Sequence, residues 1–391
     1  MVTIWPAAAW HRHNPVPKQQ VTGQQPLNTN YTKQLNEIMA SSTVLVTGGT
    51  GFIAQHIIDR LLAKKYVVIS TARSEAKYSP LLKSFQKKYP DAAVTYEIVA
   101  DMTKDDAFDE VLKKHPEITY VLHTASPASL GYNLPLKDAY LTPAVNGTLN
   151  ILKGIKKYAP QVTKVVITSS IVAMVQVGQD LSSTTINNTM WNPITWDQVE
   201  NESDAYAASK TYAEKAARKF YEDEKPTYTL ATVNPPLVVG PQVFDDLVPK
   251  ELNSLNAMVN MVTQLPPSTE PQTFFPAISI DARDIAEFHV LAIENKKLAD
   301  QRIAVAASQC IGQKFLNILN DNFPELDGKI CKGDYASVDK LEEDLCPKFD
   351  FDNTLEMVGG YDFIPLETSV IDLFKQYFAK YGFPSSASYV S

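Results

Sequence analysis

The stretch "TVLVTGGTGFIAQHIIDRLL" (43–62) limits what this chain can fold into more than any other. A short β-branched run passes directly into glycines and then into a helical apolar period. That order opens a βαβ unit in which the glycine turn lets backbone approach a pyrophosphate at the positive end of the next helix. Gly48, Gly51 and Ala54 stand at dinucleotide-loop spacing, with the small Ala54 allowing close helix–strand packing. Phe52 and Ile53 fall in the first turn beside them and belong with the expected cofactor residues.

The alternation continues. After a helix from about 52 to 65, strands are predicted at 66–71, 93–100, 118–124, 164–170 and 228–234, with helical stretches between most of them. Right-handed crossovers then give a parallel sheet covered on both faces, an α/β Rossmann-type doubly wound architecture. From Pro235 the spacing becomes irregular and rich in turns and prolines, which predicts a smaller C-terminal substrate-binding lobe. The expected division is residues 39–234 for the cofactor domain carrying the catalytic residues, and 235–391 mainly for the lobe, with some segments returning to the core. Residues 1–38 hold four prolines, many Gln and Asn, and no sustained period, and read as a disordered extension. Met39 opens "MASSTVLVTGG" and is a candidate start of the native polypeptide.

Charge and cysteine usage exclude several functions. A net charge of −8 provides no field for nucleic acid. Lys64-Lys65, Lys87-Lys88, Lys113-Lys114 and Lys156-Lys157 each close an apolar-periodic segment, so they read as helix C-termini complementing the dipole. No stretch approaches the roughly 20 apolar residues of a membrane span. Three cysteines without paired spacing and histidines without a ligand pattern predict no disulfide framework and no metal, and suit the cytoplasm.

The end of the second strand reports on the cofactor. An NAD-selecting chain places Asp or Glu there for the ribose 2′-hydroxyl. This chain reads "STARSEAK", with Arg73 in that place and Lys77 one turn later, a fork and a point charge for a 2′-phosphate. NADPH/NADP+ is the expected cofactor.

The fifth strand ends in "TSS", placing Ser169 and Ser170 at the carboxyl edge of the sheet, where such folds bind ligands. A loop then leads to "AYAASK", with Tyr206 and Lys210 on one helix face. Hydride delivery to a carbonyl carbon leaves charge on its oxygen. Tyr206 would protonate that oxygen and Ser170 would hydrogen-bond it. A free phenol has a pKa of about 10, and the Lys210 ammonium is expected to lower it. A second Tyr–x3–Lys pair, Tyr221 and Lys225, sits before Pro226 and reads as a solvated helix end.

Taken in order, "TGGTGFIA", "LHTASP", "TSS", "YAASK" and "NPPLVVGP" resemble the extended short-chain dehydrogenase/reductase family. The nearest likeness is to fungal NADPH-dependent methylglyoxal/3-methylbutanal reductases, relatives of plant dihydroflavonol reductases, from about Ser42 to Tyr381. The resemblance implies Ser170, Tyr206 and Lys210 as the catalytic set. It implies that Asp101 and Met102 meet the adenine, that Ala125 lies against the cofactor, that Pro235, Leu237 and Val238 flank the nicotinamide, and that Asn146 holds a relay water. Where relatives tend to place aromatics along the substrate wall, this chain has Ile171, Val175 and Leu237, with Ser126 and Phe244 nearby, which predicts a wider, less aromatic pocket. Asp281 and Arg283 are expected to be structural.

The leading expectation is therefore reduction of aldehydes and ketones, with small 2-oxoaldehydes such as methylglyoxal as the physiological class, by a monomer or homodimer. The alternatives are a hydroxysteroid dehydrogenase or nucleotide-sugar epimerase on the same scaffold, or a non-catalytic NADP(H)-sensing protein. The second lobe shows no basic cluster for a diphosphate, which counts against the epimerase. The intact Ser, Tyr and Lys count against the sensor.

Overall fold

A computed structural model describes residues 42–126, 134–176, 178–268 and 270–384. The N-terminal extension and Met39 lie outside the described residues. Strand β1 (Thr43–Thr47) is buried along its whole length, and its side chains alternate between two cores. Val44 and Val46 face one cluster with Ile57, Ile58 and Phe288, whereas Leu45 faces another with Val111, Ile151 and Ala217. Period-2 alternation with apolar residues on both sides is what a doubly covered parallel sheet requires.

The chain continues through α1 (Phe52–Ala63), β2 (Val67–Ala72), α2 (Glu75–Lys88), β3 (Val94–Ile98), α3 (Asp109–Lys114), β4 (Ile118–His123), α4 (Thr142–Tyr158) and β5 (Lys164–Thr168). A short β6 (Thr185–Asn187) precedes α5 (Glu202–Glu224) and β7 (Thr229–Asn234). Then come β8 (Leu237–Val239), β9 (Ala277–Asp281), α6 (Ala282–Glu294), β10 (Arg302–Ala304), β11 (Ser308–Cys310), α7 (Gly312–Asn322), β12 (Lys348–Asp350) and α8 (Leu366–Tyr381). The main sheet has seven strands in the order β10-β7-β5-β4-β1-β2-β3, with every pairing parallel. Strand order reverses between β1 and β4, so the crevice for a ligand opens at their carboxyl ends.

The lysine pairs fall where the dipole favours them. Lys87-Lys88, Lys113-Lys114 and Lys156-Lys157 occupy last turns, and Lys64 caps α1. Lys64 also bridges Glu287 at 3.0 Å and Glu294 at 2.7 Å, which fastens α1 to α6.

After Pro235 the chain builds a three-stranded sheet, β11-β9-β8, over a third core of Phe315, Leu316, Leu319, Phe374 and Phe378 from α7 and α8. Two segments return to the first domain: α6 packs on α1, and β10 adds the edge strand beside β7. Asp281 and Arg283 hold this junction. Asp281 caps α6 by accepting from Arg283 N at 2.7 Å and pairs with that guanidinium at 2.8 Å, while Arg283 also reaches Asp372 on α8 at 2.8 Å.

Candidate active site

The glycine loop is shaped by close approach. Gly48 has φ +70°, and a Cβ there would lie 2.8 Å from Ala125 Cα. The loops after β1 and β4, on either side of the crevice, thus touch backbone to backbone. At Gly49 a Cβ would lie 1.8 Å from Ser70 Oγ and 3.1 Å from Ile58 Cδ1, so a side chain there requires the Ser70 hydroxyl to move, although the motif spacing does not single the position out. Gly51 N-caps α1 without any side-chain cap, and the first turn holds no acid, which leaves its N–H groups to an anion. Ala54 is buried and Phe52 and Ile53 are half-buried beside it. These features fit a dinucleotide pyrophosphate.

Arg73 and Lys77 are exposed at the end of β2 and the start of α2. Arg73 lies close enough to help hold the Asp101 carboxyl below the usual carboxylate range, after the larger effect of two hydrogen bonds from Thr103. Met102 packs on Gly147, where a Cβ would sit 3.0 Å from its sulfur, and half-buried Asn146 precedes that glycine.

At the carboxyl edge of β5, Ser170 is buried and begins a tight turn. Its carbonyl accepts Asn234 Nδ2 at 3.1 Å, and Ile171 N donates to Pro235 O at 2.9 Å. Asn192 clamps the far side by donating to Val172 O at 2.7 Å and Val175 O at 2.8 Å. Opposite this turn stands α5, N-capped by Asn201, whose side chain accepts from Asp204 N at 3.0 Å. Ala205, Ala207 and Ala208 are buried and small, which brings the helix close to its neighbours.

This packing brings Tyr206 near enough to Ser170 for the serine hydroxyl to act on the phenol. Lys210 is buried, donates to Thr168 O at 3.3 Å, and sits 5.9 Å from the Tyr206 ring centroid. The expected lowering of the phenol by Lys210 is not what the structure gives. Burial pushes the Tyr206 phenol up, and only the Ser170 hydrogen bond opposes it. Burial in turn pulls Lys210 down to about 8, opposed by the charge of Glu214. Among the described residues the tyrosine therefore holds its proton firmly.

Sequence reasoning missed what lies beneath the lysine. A pocket of about 10 Å³, room for one water, is lined by His123, Ser126, Thr148, Ser169, Lys210 and Glu214, with Ala125 at its edge. His123 shares a 2.8 Å hydrogen bond with Thr47 Oγ1, and its Nε2 is buried without a partner among the described residues. Burial, with Lys210 adding to it, pulls the imidazole down to about 3, so it is neutral. The signal for Glu214 was present in the sequence: a carboxylate continues the i, i+4 stripe from Tyr206 and Lys210 among alanines.

Ile171 and Val175 stay together on one cluster, and Leu237 and Phe244 lie apart from it. Ile171 is half-buried beside Ser170, and Leu237 is half-buried against the third core. Val175 is buried in a cluster with Met174, Ile186, Ile278 and Phe351, and Val238 is wholly buried in the main core. Phe244 packs 4.9 Å from Phe85 and beneath Lys88, at the last turn of α2. In a parallel βαβ unit that turn lies at the amino edge of the sheet, opposite the crevice. The Tyr221/Lys225 pair is indeed a helix end: Lys225 is the left-handed C-cap, and the Tyr221 ring packs on Tyr228 at 6.2 Å.

A Rossmann crevice with a Ser–Tyr–Lys set on its rim defines a nucleotide-dependent oxidoreductase scaffold. The chain belongs to the NAD dependent epimerase/dehydratase family, whose pattern it matches over residues 44–306. It is 38% identical to a putative NADPH-dependent methylglyoxal reductase of Candida albicans, over 85% of this chain and 97% of that one. It is 41% identical to the NADPH-dependent methylglyoxal reductase of Saccharomyces cerevisiae, over 74% and 85% of the two chains. The crystal structure of the yeast methylglyoxal/isovaleraldehyde reductase complexed with NADPH superimposes with a TM-score of 0.81 at 36% identity, covering 88% of this chain and 100% of that one.

Proposed function

We propose that this protein is an NADPH-dependent carbonyl reductase acting on small aldehydes and ketones, with 2-oxoaldehydes such as methylglyoxal as its physiological class. The observation that carries the reading is the grouping of Tyr206, buried Ser170 and buried Lys210, the lysine 5.9 Å from the tyrosine ring, on the rim of the crevice that Gly48 and Ala125 define.

When bound, the reduced nicotinamide supplies the hydride. Arg73 and Lys77 would hold the 2′-phosphate, and the α1 N-terminus would take the pyrophosphate. Ser170 fixes the carbonyl oxygen, and Tyr206 donates its phenolic proton to that oxygen as charge develops there. A phenol pushed up by burial keeps its proton until the oxygen is basic enough to take it. Lys210 then stabilises the phenolate left behind. Its ammonium stands 5.9 Å from the ring centroid, on the same helix face. The lobe after Pro235 covers the substrate. The three cysteines are buried free thiols, in keeping with a reducing cytoplasm, and the described residues include no helix long and apolar enough to cross a membrane.

The test is consumption of NADPH with methylglyoxal by wild type and Tyr206→Phe. The ring is kept and the proton removed, so the rate should fall at least about a hundredfold. Similar rates in the two proteins would remove Tyr206 as the acid.

A further inference from the structure

Glu214 lies one turn beyond Lys210 on α5, and its side chain is wholly buried. A buried carboxylate is costly unless it is paired and hydrogen-bonded, so its partners show what it is kept for. On one oxygen it accepts Ser169 Oγ at 2.6 Å and Asn234 Nδ2 at 2.8 Å. On the other it accepts Arg302 Nε at 2.6 Å, Thr232 Oγ1 at 3.2 Å and Arg218 Nε at 3.4 Å. Arg302 is itself fixed by the carbonyls of Asn188 and Met190 and by the Trp191 ring, 3.9 Å from its guanidinium carbon. Burial works against the charge of Glu214, but Arg302, with Ser169 and Arg218, holds the carboxyl below the usual carboxylate range.

The first oxygen faces the active site. Ser169 is the neighbour of Ser170, and Asn234 also donates to Ser170 O at 3.1 Å. Glu214 therefore grips the Ser170 turn from both sides while sharing a helix with Tyr206 and Lys210. It also lines the small pocket beneath Lys210. The groups facing Lys210 there are Tyr206 and Glu214 from α5, His123 from β4, Thr168 O at the end of β5 with Ser169 after it, and Thr148 from α4. His123 is neutral, which leaves Glu214 as the anion of that set.

We propose that Glu214 is a positioning residue for carbonyl reduction: it aims the Ser170 turn at Tyr206 through Ser169 and Asn234, and, as an anion lining the same small pocket as Lys210 while paired with Arg302, it supports the lysine's charge across that pocket. This rests on the reductase reading above. A purely structural clasp between α5, β7 and β10 would protect stability and leave the chemistry of Lys210 unchanged.

The experiment compares wild type, Glu214→Gln and Glu214→Asp in NADPH-consumption assays with methylglyoxal across pH, beside NADPH titration and thermal unfolding. Glu214→Gln should lose about ten- to a hundredfold in kcat, because small misplacements near the chemistry carry that penalty. Its KM and NADPH affinity should stay near wild type. The basic limb of its kcat profile should move to lower pH, since the charge that supports the ammonium is gone. Glu214→Asp keeps the charge and should restore the wild-type limb. A folded Glu214→Gln with wild-type kcat, or with reduced kcat and an unmoved limb, overturns the proposal. Should Glu214→Gln not fold, Ser169→Ala decides. It removes one hydroxyl and should lower kcat severalfold at constant KM, and an unchanged kcat overturns the proposal. A wild type that consumes no NADPH with any carbonyl overturns the reductase reading and this proposal with it. An active wild type beside an unchanged variant overturns the positioning role alone.

Discussion

Two glycines of the phosphate loop should fail differently when each is given one methyl group. At Gly48, φ is +70° and the added Cβ meets Ala125 Cα at 2.8 Å and Ala125 N at 3.0 Å. These are backbone atoms, pinned by Ala125 N donating to Thr47 Oγ1 at 3.2 Å, so no rotamer change relieves the overlap. The left-handed conformation costs alanine about 1–2 kcal/mol and overpacking adds roughly 1–3 kcal/mol, together about 2–5 kcal/mol. With an unfolding entropy of ~2 cal/mol/K per residue over roughly 350 folded residues, Tm should drop by about 3–7 °C. At Gly51, φ is −72°, and the Cβ meets only Gly48 O at 3.2 Å and Ala54 Cβ at 3.9 Å. Stability there should change by less than about 1 kcal/mol. That methyl nevertheless stands where a pyrophosphate must approach the α1 backbone, so NADPH affinity should weaken at least about tenfold. Scanning fluorimetry without cofactor, followed by fluorescence titration with NADPH, separates the two effects. Gly48→Ala should lose both stability and binding, and Gly51→Ala binding alone. The reasoning is refuted if Gly48→Ala melts with the wild type or Gly51→Ala binds NADPH at full strength.

Other outcomes follow from the same geometry. Arg73→Ala should raise the KM for NADPH at least about tenfold and leave that for NADH nearly unchanged, since only the 2′-phosphate contact is lost; equal losses for both cofactors would contradict this assignment. With NADPH as the varied substrate, kcat/KM should fall above about pH 8 as Lys210, pulled down to about 8 by burial, gives up its proton in the free enzyme. A profile flat to pH 10 would contradict that, as Lys210 would then titrate near its ordinary value. Acid stability has a definite sign. Burial holds His123 down at about 3 and His289 at about 4, so on acidification below 6.5 the unfolded chain takes up protons that the native state refuses, and stability falls. Asp284, raised by burial to about 6, binds one proton in the native state over part of that window and opposes them. The net from these three is about one proton between pH 6 and 4, or ~1.4 kcal/mol per pH unit, and His289→Gln should flatten it. Parallel wild-type and variant curves would exclude the histidine.

The sequence by itself determined the βαβ alternation, the strands within a residue or two, the helix ends marked by paired lysines, and the candidate catalytic residues. These signals are local: a β-branched run, a glycine turn and an i, i+4 pair are fixed by backbone preference and helical geometry over a few residues. Ser170 and Tyr206 were legible because each lies just past the end of a strand or the start of a helix, where the chain order alone points to the sheet edge.

Only the tertiary structure decided what surrounds them. Glu214 shows in the sequence only as the next step of an i, i+4 stripe, and its partners appear only when Ser169, Asn234 and Arg302, up to 88 residues away, converge on it. The direction of the Tyr206 shift was misjudged for the same reason. Sequence supplies the neighbouring lysine, but the desolvation that sets the direction depends on how closely α5 packs against the β5 edge. Phe244 went to the wrong edge because a ring following an irregular loop carries no period that tells which end of the sheet it meets. Burial and long-range charge are sums over the whole fold, and neither is written in any short stretch of chain.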